Sequence, residues 1–130
     1  MRLRAAPPII VTVIVWTALL SSCASRGTTG SGHSTHAVVH DTIDIDGVKI
    51  FYREAGPKDA PTLFLLHGYP TSSHMFRELM RDLADRYHTL APDYPGFGRS
   101  EQPPMAGFAY TFDRMAELME KFLDANSAST

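Results

Sequence analysis

Two short segments hold the residues whose types and spacing could do chemistry. The first, His67-Gly68-Tyr69-Pro70, follows the apolar run Leu63-Phe64-Leu65-Leu66 and precedes a Ser-led amphipathic stretch. A buried strand that stops at a glycine, turns at an X-Pro bond and enters a helix leaves backbone N–H groups without strand or helix partners. Such donors can face a developing negative charge, so the segment reads as half of an oxyanion hole. The second segment, Asp93-Tyr94-Pro95-Gly96-Phe97-Gly98-Arg99-Ser100, follows another strand-like run. Its Gly96 and Gly98 let the backbone pass close beneath a site, with positive φ where needed. It is not a dinucleotide loop, because no third glycine follows at the required spacing. Nor is it a nucleophile elbow: that motif is G-x-S-x-G, and here Ser100 lies beyond Gly98 with Glu101 and Gln102 after it. Ser100 reads as a hydroxyl that stabilises the loop.

The elements that must position these segments alternate between strand and helix patterns. Ile43 and Ile45 alternate with polar residues, Asp46-Gly47 is a hairpin signal, and Val48, Ile50 and Tyr52 alternate with Lys49, Phe51 and Arg53. An antiparallel pair is expected there. Gly56-Pro57-Lys58-Asp59 makes a turn, and the continuously apolar 62–66 predicts a strand covered on both faces. Ser72 or Ser73 can cap a helix whose apolar face is Met75, Phe76, Leu79, Met80 and Leu83. His88 to Ala91 returns to the sheet, so the strand, helix, strand order predicts a right-handed parallel crossover. Thr111 can cap a second helix with Phe112, Met115, Met119, Phe122 and Leu123 on one face.

Both loop motifs, in this order, resemble those of the alpha/beta-hydrolase family in the part that precedes its nucleophile; the resemblance covers about Thr42 to Ala125. His-Gly-Tyr-Pro-Thr-Ser-Ser-His-Met-Phe-Arg and Asp-Tyr-Pro-Gly-Phe-Gly look most like the branch of epoxide hydrolases and haloalkane dehalogenases, whose nucleophile is Asp. Serine esterases share enough of both segments to remain the alternative. The resemblance implies an α/β fold: an antiparallel hairpin leading into a parallel sheet with flanking helices, ending before the nucleophile elbow. It makes the backbone N–H of Tyr69 an oxyanion donor and the Tyr69-Pro70 bond cis. His67 is expected to be a buried, hydrogen-bonded residue that shapes the loop, because a base must face the nucleophile. The Tyr69 ring either lines a substrate pocket or simply packs, and both uses suit an aromatic side chain. The family's other oxyanion donor, its nucleophile, its later acid and its C-terminal histidine have no counterpart up to Thr130. No catalytic residue is therefore expected in this chain.

At 130 residues, with 44% hydrophobic and 20% charged residues, the composition is that of one ordinary globular domain. A formal charge of -2 with scattered Lys and Arg argues against nucleic acid as a partner. The single cysteine, Cys23, excludes an intrachain disulfide and a cysteine-based metal cage. His33, His36 and His40 have no spacing that fixes a metal site, and neither a metal nor a cofactor is expected.

Arg2 and Arg4 precede a run of 12 mainly apolar residues, Ile9 to Leu20, that ends in small residues and Cys23. This is signal-peptide architecture, too short for a spanning helix of about 20 residues. Leu20-Ser21-Ser22-Cys23 also resembles the bacterial lipobox, in which the cysteine carries the lipid and becomes the first residue of the mature protein. The expected organisation is a signal peptide over 1–22, a flexible Ser/Thr/Gly/His tether over 23–37, a partial hydrolase domain over 38–126 and a polar tail over 127–130. Residues 1–22 contain two of the 12 basic and none of the 14 acidic residues, so the mature chain carries a net charge of -4. Lipid rather than charge would hold it at a bacterial outer membrane or cell surface.

The leading expectation is the amino-terminal piece of a membrane-anchored hydrolase, with a small-molecule substrate only for a full-length parent. A non-catalytic lipoprotein that serves binding or assembly is the competing class. Without a later strand beside it, the strand over 62–66 is also expected to promote self-association. Mass spectrometry of the membrane fraction tests the anchor: the chain should begin at Cys23 and carry acyl groups, and a soluble product with unmodified Cys23 would refute the assignment.

Overall fold

A computed structural model describes residues 37–127. The signal segment, Cys23, nearly all of the tether and the last three residues lie outside the described residues. Four strands form one mixed sheet: β1 (Val39–Ile45), β2 (Val48–Ala55), β3 (Thr62–Phe64) and β4 (His88–Pro92), in the order β1-β2-β4-β3. β1 and β2 pair antiparallel through a tight turn in which Asp46 and Gly47 adopt φ of 53° and 78°. The Asp-Gly pair suits that turn because both positions need the left-handed region. β4 runs antiparallel to β2 and parallel to β3. The parallel pair is joined by a 3-10 turn, Ser73–Phe76, and by α1 (Arg77–Leu83).

One core lies on each face of the sheet. On one side Ile45, Val48, Ile50, Tyr52, Phe64 and Leu90 pack against Leu118, Met119 and Phe122 of α2 (Phe112–Ser127). Phe122 stacks on Phe64 at 5.9 Å and meets Tyr52 edge-on at 5.1 Å. On the other side Ala55, Leu65 and Ala91 pack against Met80 and Ala84. The Thr111 hydroxyl accepts the Arg114 N–H and so caps α2, while Lys121 and Arg114 both bond the Asp46 carboxylate, tying α2 to the hairpin turn. A partly buried contact between His88 Nε2 and Glu54 Oε1, at 2.7 Å, joins β4 to β2.

The helix faces differ from the simple periodic expectation in an instructive way. Met80 is buried, but Met75 and Leu79 are exposed. The segment enters as a 3-10 turn, with three rather than 3.6 residues per turn, which swings Met75 out of register with the α-helical stripe. In α2 the fully buried Leu118 belongs to the core, whereas Phe112, in phase with Met115 and Met119, is 94% exposed at the first turn with nothing to pack on. β2 departs further: Phe51 and Arg53, read as the polar side of an alternating strand, are both buried. The reason is the loop after β4, which folds back over that face.

β3 is shorter than the apolar run. Its ladder ends at Phe64, although the Leu65 N–H still donates to the Leu90 carbonyl at 2.8 Å, and Leu66 turns outward. On its far side β3 has no neighbour among the described residues. Such an edge recruits other strands. Light scattering on the chain from residue 37 onward is expected to show self-association that Leu66→Lys, an exposed position at the strand's end, reduces. A monodisperse monomer with a cooperative melt would overturn this.

Candidate oxyanion turn and its supporting loop

The His67-Gly68-Tyr69-Pro70 turn is held from both ends. Ser72 caps the 3-10 turn, its hydroxyl accepting the His74 N–H, while the Thr71 N–H and hydroxyl both donate to the Gly68 carbonyl. The Tyr69-Pro70 peptide is cis. His67 is buried, and its Nε2 accepts the Tyr94 N–H at 3.1 Å. That acceptance places the ring proton on Nδ1, which lies 3.0 Å from the Gly68 carbonyl. Both ring nitrogens are therefore consumed in holding the loop, and neither is free to act as a base. The ring also meets Tyr94 and Phe97 edge-on, at centroid distances of 5.0 and 5.5 Å.

Asp93 joins the two segments. Its side chain is 1% exposed; Oδ1 accepts the Ser73 N–H at 2.6 Å and Oδ2 accepts the Arg99 N–H at 2.9 Å. Its own N–H donates to the Phe51 carbonyl of β2. Ser100 completes the weld, because its hydroxyl donates to the Asp93 carbonyl at 2.7 Å and accepts the Phe51 N–H at 2.9 Å. A hydroxyl engaged on both sides in this way is not poised for attack. Gly98 makes the arrangement possible: a Cβ there would stand 2.0 Å from Asp93 Oδ2, and its φ is 53°. Gly96 also has positive φ, at 82°, beside the Tyr110 ring.

Amid these paired groups, the backbone N–H of Tyr69 has no hydrogen-bond partner among the described residues, and the Tyr69 side chain is 87% exposed. Next to the turn an open depression is lined by Pro70, Thr71, Ser72, His74, Met75 and Gly98. The structure thus brings His67, Gly68, Tyr69 and Pro70 together with Asp93, Gly96, Gly98 and Ser100, while Cys23 lies outside the described residues. Among the described residues no group of His, Cys, Asp and Glu has the arrangement of a metal site. Sequence reasoning missed the supporting residues Ser73, Phe51 and Arg53. For Arg53 the period-2 pattern of β2 pointed the wrong way, since a covering loop leaves no mark on the strand it covers.

The family model described as alpha/beta hydrolase fold matches residues 61–129, and the chain belongs to that family. It is 50% identical over 82 residues to an uncharacterized hydrolase of Saccharomyces cerevisiae, a match that spans 63% of this chain and 28% of that protein. It is 36% identical over 84 residues to a haloalkane dehalogenase of Bradyrhizobium diazoefficiens, spanning 65% of this chain and 26% of the dehalogenase. Among solved structures, a bacterial membrane phospholipase A superposes with a TM-score of 0.64 at 33% identity, covering 68% of this chain and 28% of the other. A haloalkane dehalogenase of Bradyrhizobium elkani does so at 0.64 and 34%, covering 68% and 30%. An epoxide hydrolase of Vigna radiata does so at 0.62 and 27%, covering 68% and 28%. The chain spans little more than a quarter of the length of the curated relatives it matches.

Two substitutions test the weld. Gly98→Ala forces its Cβ into the Asp93 carboxylate, and Asp93→Ala strands two N–H groups; each is expected to lower unfolding free energy by about 2–4 kcal/mol in a denaturant titration. Gly107→Ala, where a Cβ meets nothing within 4 Å, is the control and should change little.

Proposed function

We propose that this chain supplies the oxyanion turn and the first strands of a hydrolase of the epoxide hydrolase and haloalkane dehalogenase branch, in which an Asp nucleophile acts on a small apolar substrate. The observation that carries this reading is the Tyr69 N–H, without a hydrogen-bond partner among the described residues, in a turn that His67, Thr71 and Ser72 hold by hydrogen bonds to backbone. When water attacks an ester between substrate and enzyme, negative charge gathers on the carbonyl oxygen. A fixed N–H donor there stabilises the transition state without reorganising. His67 and Asp93 act as positioning residues, since both side chains spend their polar atoms on loop backbone. The similarity to the dehalogenases and the epoxide hydrolase supports the Asp-nucleophile branch. The membrane phospholipase A favours a second reading, a serine-type hydrolase that uses the same turn.

We further propose that the domain is exported and held at a bacterial membrane through a lipid on Cys23. The support for that anchor is the short apolar run and the Leu20-Ser21-Ser22-Cys23 motif alone. The 130 residues contain no Gly-X-Asp/Ser-X-Gly elbow, so by themselves they are expected to give no turnover of aryl esters or styrene-type epoxides above buffer. Turnover that Ser100→Ala abolishes would sink this expectation.

A chimera tests the assigned role. Residues 42–125 replace the matching part of the Bradyrhizobium diazoefficiens dehalogenase, which keeps its own downstream sequence. Dehalogenation is expected to persist, to survive Tyr69→Ala and to fall about 100-fold or more with Tyr69→Pro, which removes the N–H. Equal activity of the two variants would show that the donor lies elsewhere.

A further inference from the structure

On the face of β2 opposite α2, a buried guanidinium stands without a carboxylate bound to it. Arg53 is 8% exposed; its Nε donates to the Ser73 hydroxyl at 3.2 Å and its Nη1 donates to His40 Nε2. Asp93 is close enough to attract it, but that carboxylate accepts the Ser73 and Arg99 N–H groups, and neither Arg53 nor Arg99 forms an ion pair among the described residues. A guanidinium has five N–H donors, and two of them are used here. No fully enclosed side-chain nitrogen lacks a partner among the described residues, so the Arg53 nitrogen without one keeps some contact with solvent.

A second cation shares the Phe51 ring with Arg53. The Arg99 guanidinium sits 4.7 Å from the centre of the Phe51 ring and Arg53 sits 5.4 Å from the same centre, so the two cations are no more than about 10 Å apart. His40 packs on that ring at 5.8 Å. Because its Nε2 accepts from Arg53, its Nδ1 carries the proton and remains a free donor. Burial, and then the charges of Arg53, Arg99 and His74, hold the His40 pKa below its ordinary value. The charges that lower it are all positive. The groups come from separate elements, with His40 on β1, Arg53 on β2, His74 on the 3-10 turn and Arg99 on the loop after β4.

We propose that Arg53, Arg99 and His40, gathered around Phe51, form a binding site for a phosphate-type oxyanion. Arg53 is already rigid and largely desolvated, so little ordering opposes binding, and a tetrahedral oxyanion can take N–H donors from both guanidiniums when the exposed Arg99 swings toward it. The ligand is either free phosphate or the phosphate of an anionic lipid headgroup. The site is separate in role from the oxyanion turn, since the Tyr69 N–H would face charge that exists only during reaction.

Calorimetry of the full chain with inorganic phosphate, at constant ionic strength and with chloride as control, tests the free ligand. Vesicles of phosphatidylglycerol against phosphatidylcholine test the headgroup. Saturable phosphate binding that Arg99→Gln weakens at least tenfold assigns the site to free phosphate. A preference for phosphatidylglycerol that Arg99→Gln removes, with no heat from phosphate, assigns it to the headgroup. Arg99 is exposed, so its variant should melt with the wild type in phosphate-free buffer. The bound anion should also raise the His40 titration midpoint, followed by its ring proton resonance, because negative charge favours the imidazolium. No saturable phosphate heat together with equal vesicle binding by wild type and Arg99→Gln would overturn the proposal.

Discussion

A buried carboxylate that accepts backbone N–H groups from two different loops is the constraint on which this structure depends. Asp93 is 1% exposed, and what surrounds its oxygens is the Ser73 N–H from one loop and the Arg99 N–H from the other. Removing a carboxylate from water is costly unless hydrogen bonds replace the lost solvation, and charge-assisted bonds to backbone N–H groups are strong enough to do so. The consequence is geometric. Neither loop can shift without stranding a charged oxygen, so the turn at Tyr69 and the loop beneath it move as one body. Gly98 belongs to the same constraint, because any side chain there would occupy the space of the carboxylate.

The sheet supplies what the weld rests on. β4 carries Asp93 at its end, and the Asp93 N–H and the Ser100 hydroxyl fasten the loop to both polar groups of Phe51 on β2. β4 lies between β2 and β3, so one bonded strand positions both the loop after it and the turn that follows β3. Core packing on each face then fixes that strand: Leu90 points into the α2 side and Ala91 into the α1 side. Strand order, rather than helix packing, determines where the oxyanion turn sits.

Much of this was legible in the chain. Asp46-Gly47 marked the hairpin, Thr111 the cap of α2, and the two loop motifs the family. The parts that were not legible share a cause. Arg53 and Phe51 alternate with Ile50 and Tyr52 as solvent-facing residues would, yet both are buried, because what meets them comes from elsewhere in the chain: Ser100 and Arg99 at Phe51, Ser73 and His40 at Arg53. Phe112 shows the converse: it keeps the helical period of α2 but is 94% exposed, with no strand over it among the described residues. Periodicity reports which face of an element an apolar residue shares with its neighbours, and not whether anything covers that face.

The same contrast separates support from chemistry within the site. His67, Asp93 and Ser100 are polar residues in a motif, the features that draw attention in a sequence, and each spends its polar atoms on backbone groups of the two loops. The group left over is a main-chain N–H, that of Tyr69, which has no side-chain identity at all. A fixed N–H without a partner among the described residues is the kind of donor that the proposed oxyanion role requires. The conspicuous side chains hold the turn that carries that donor.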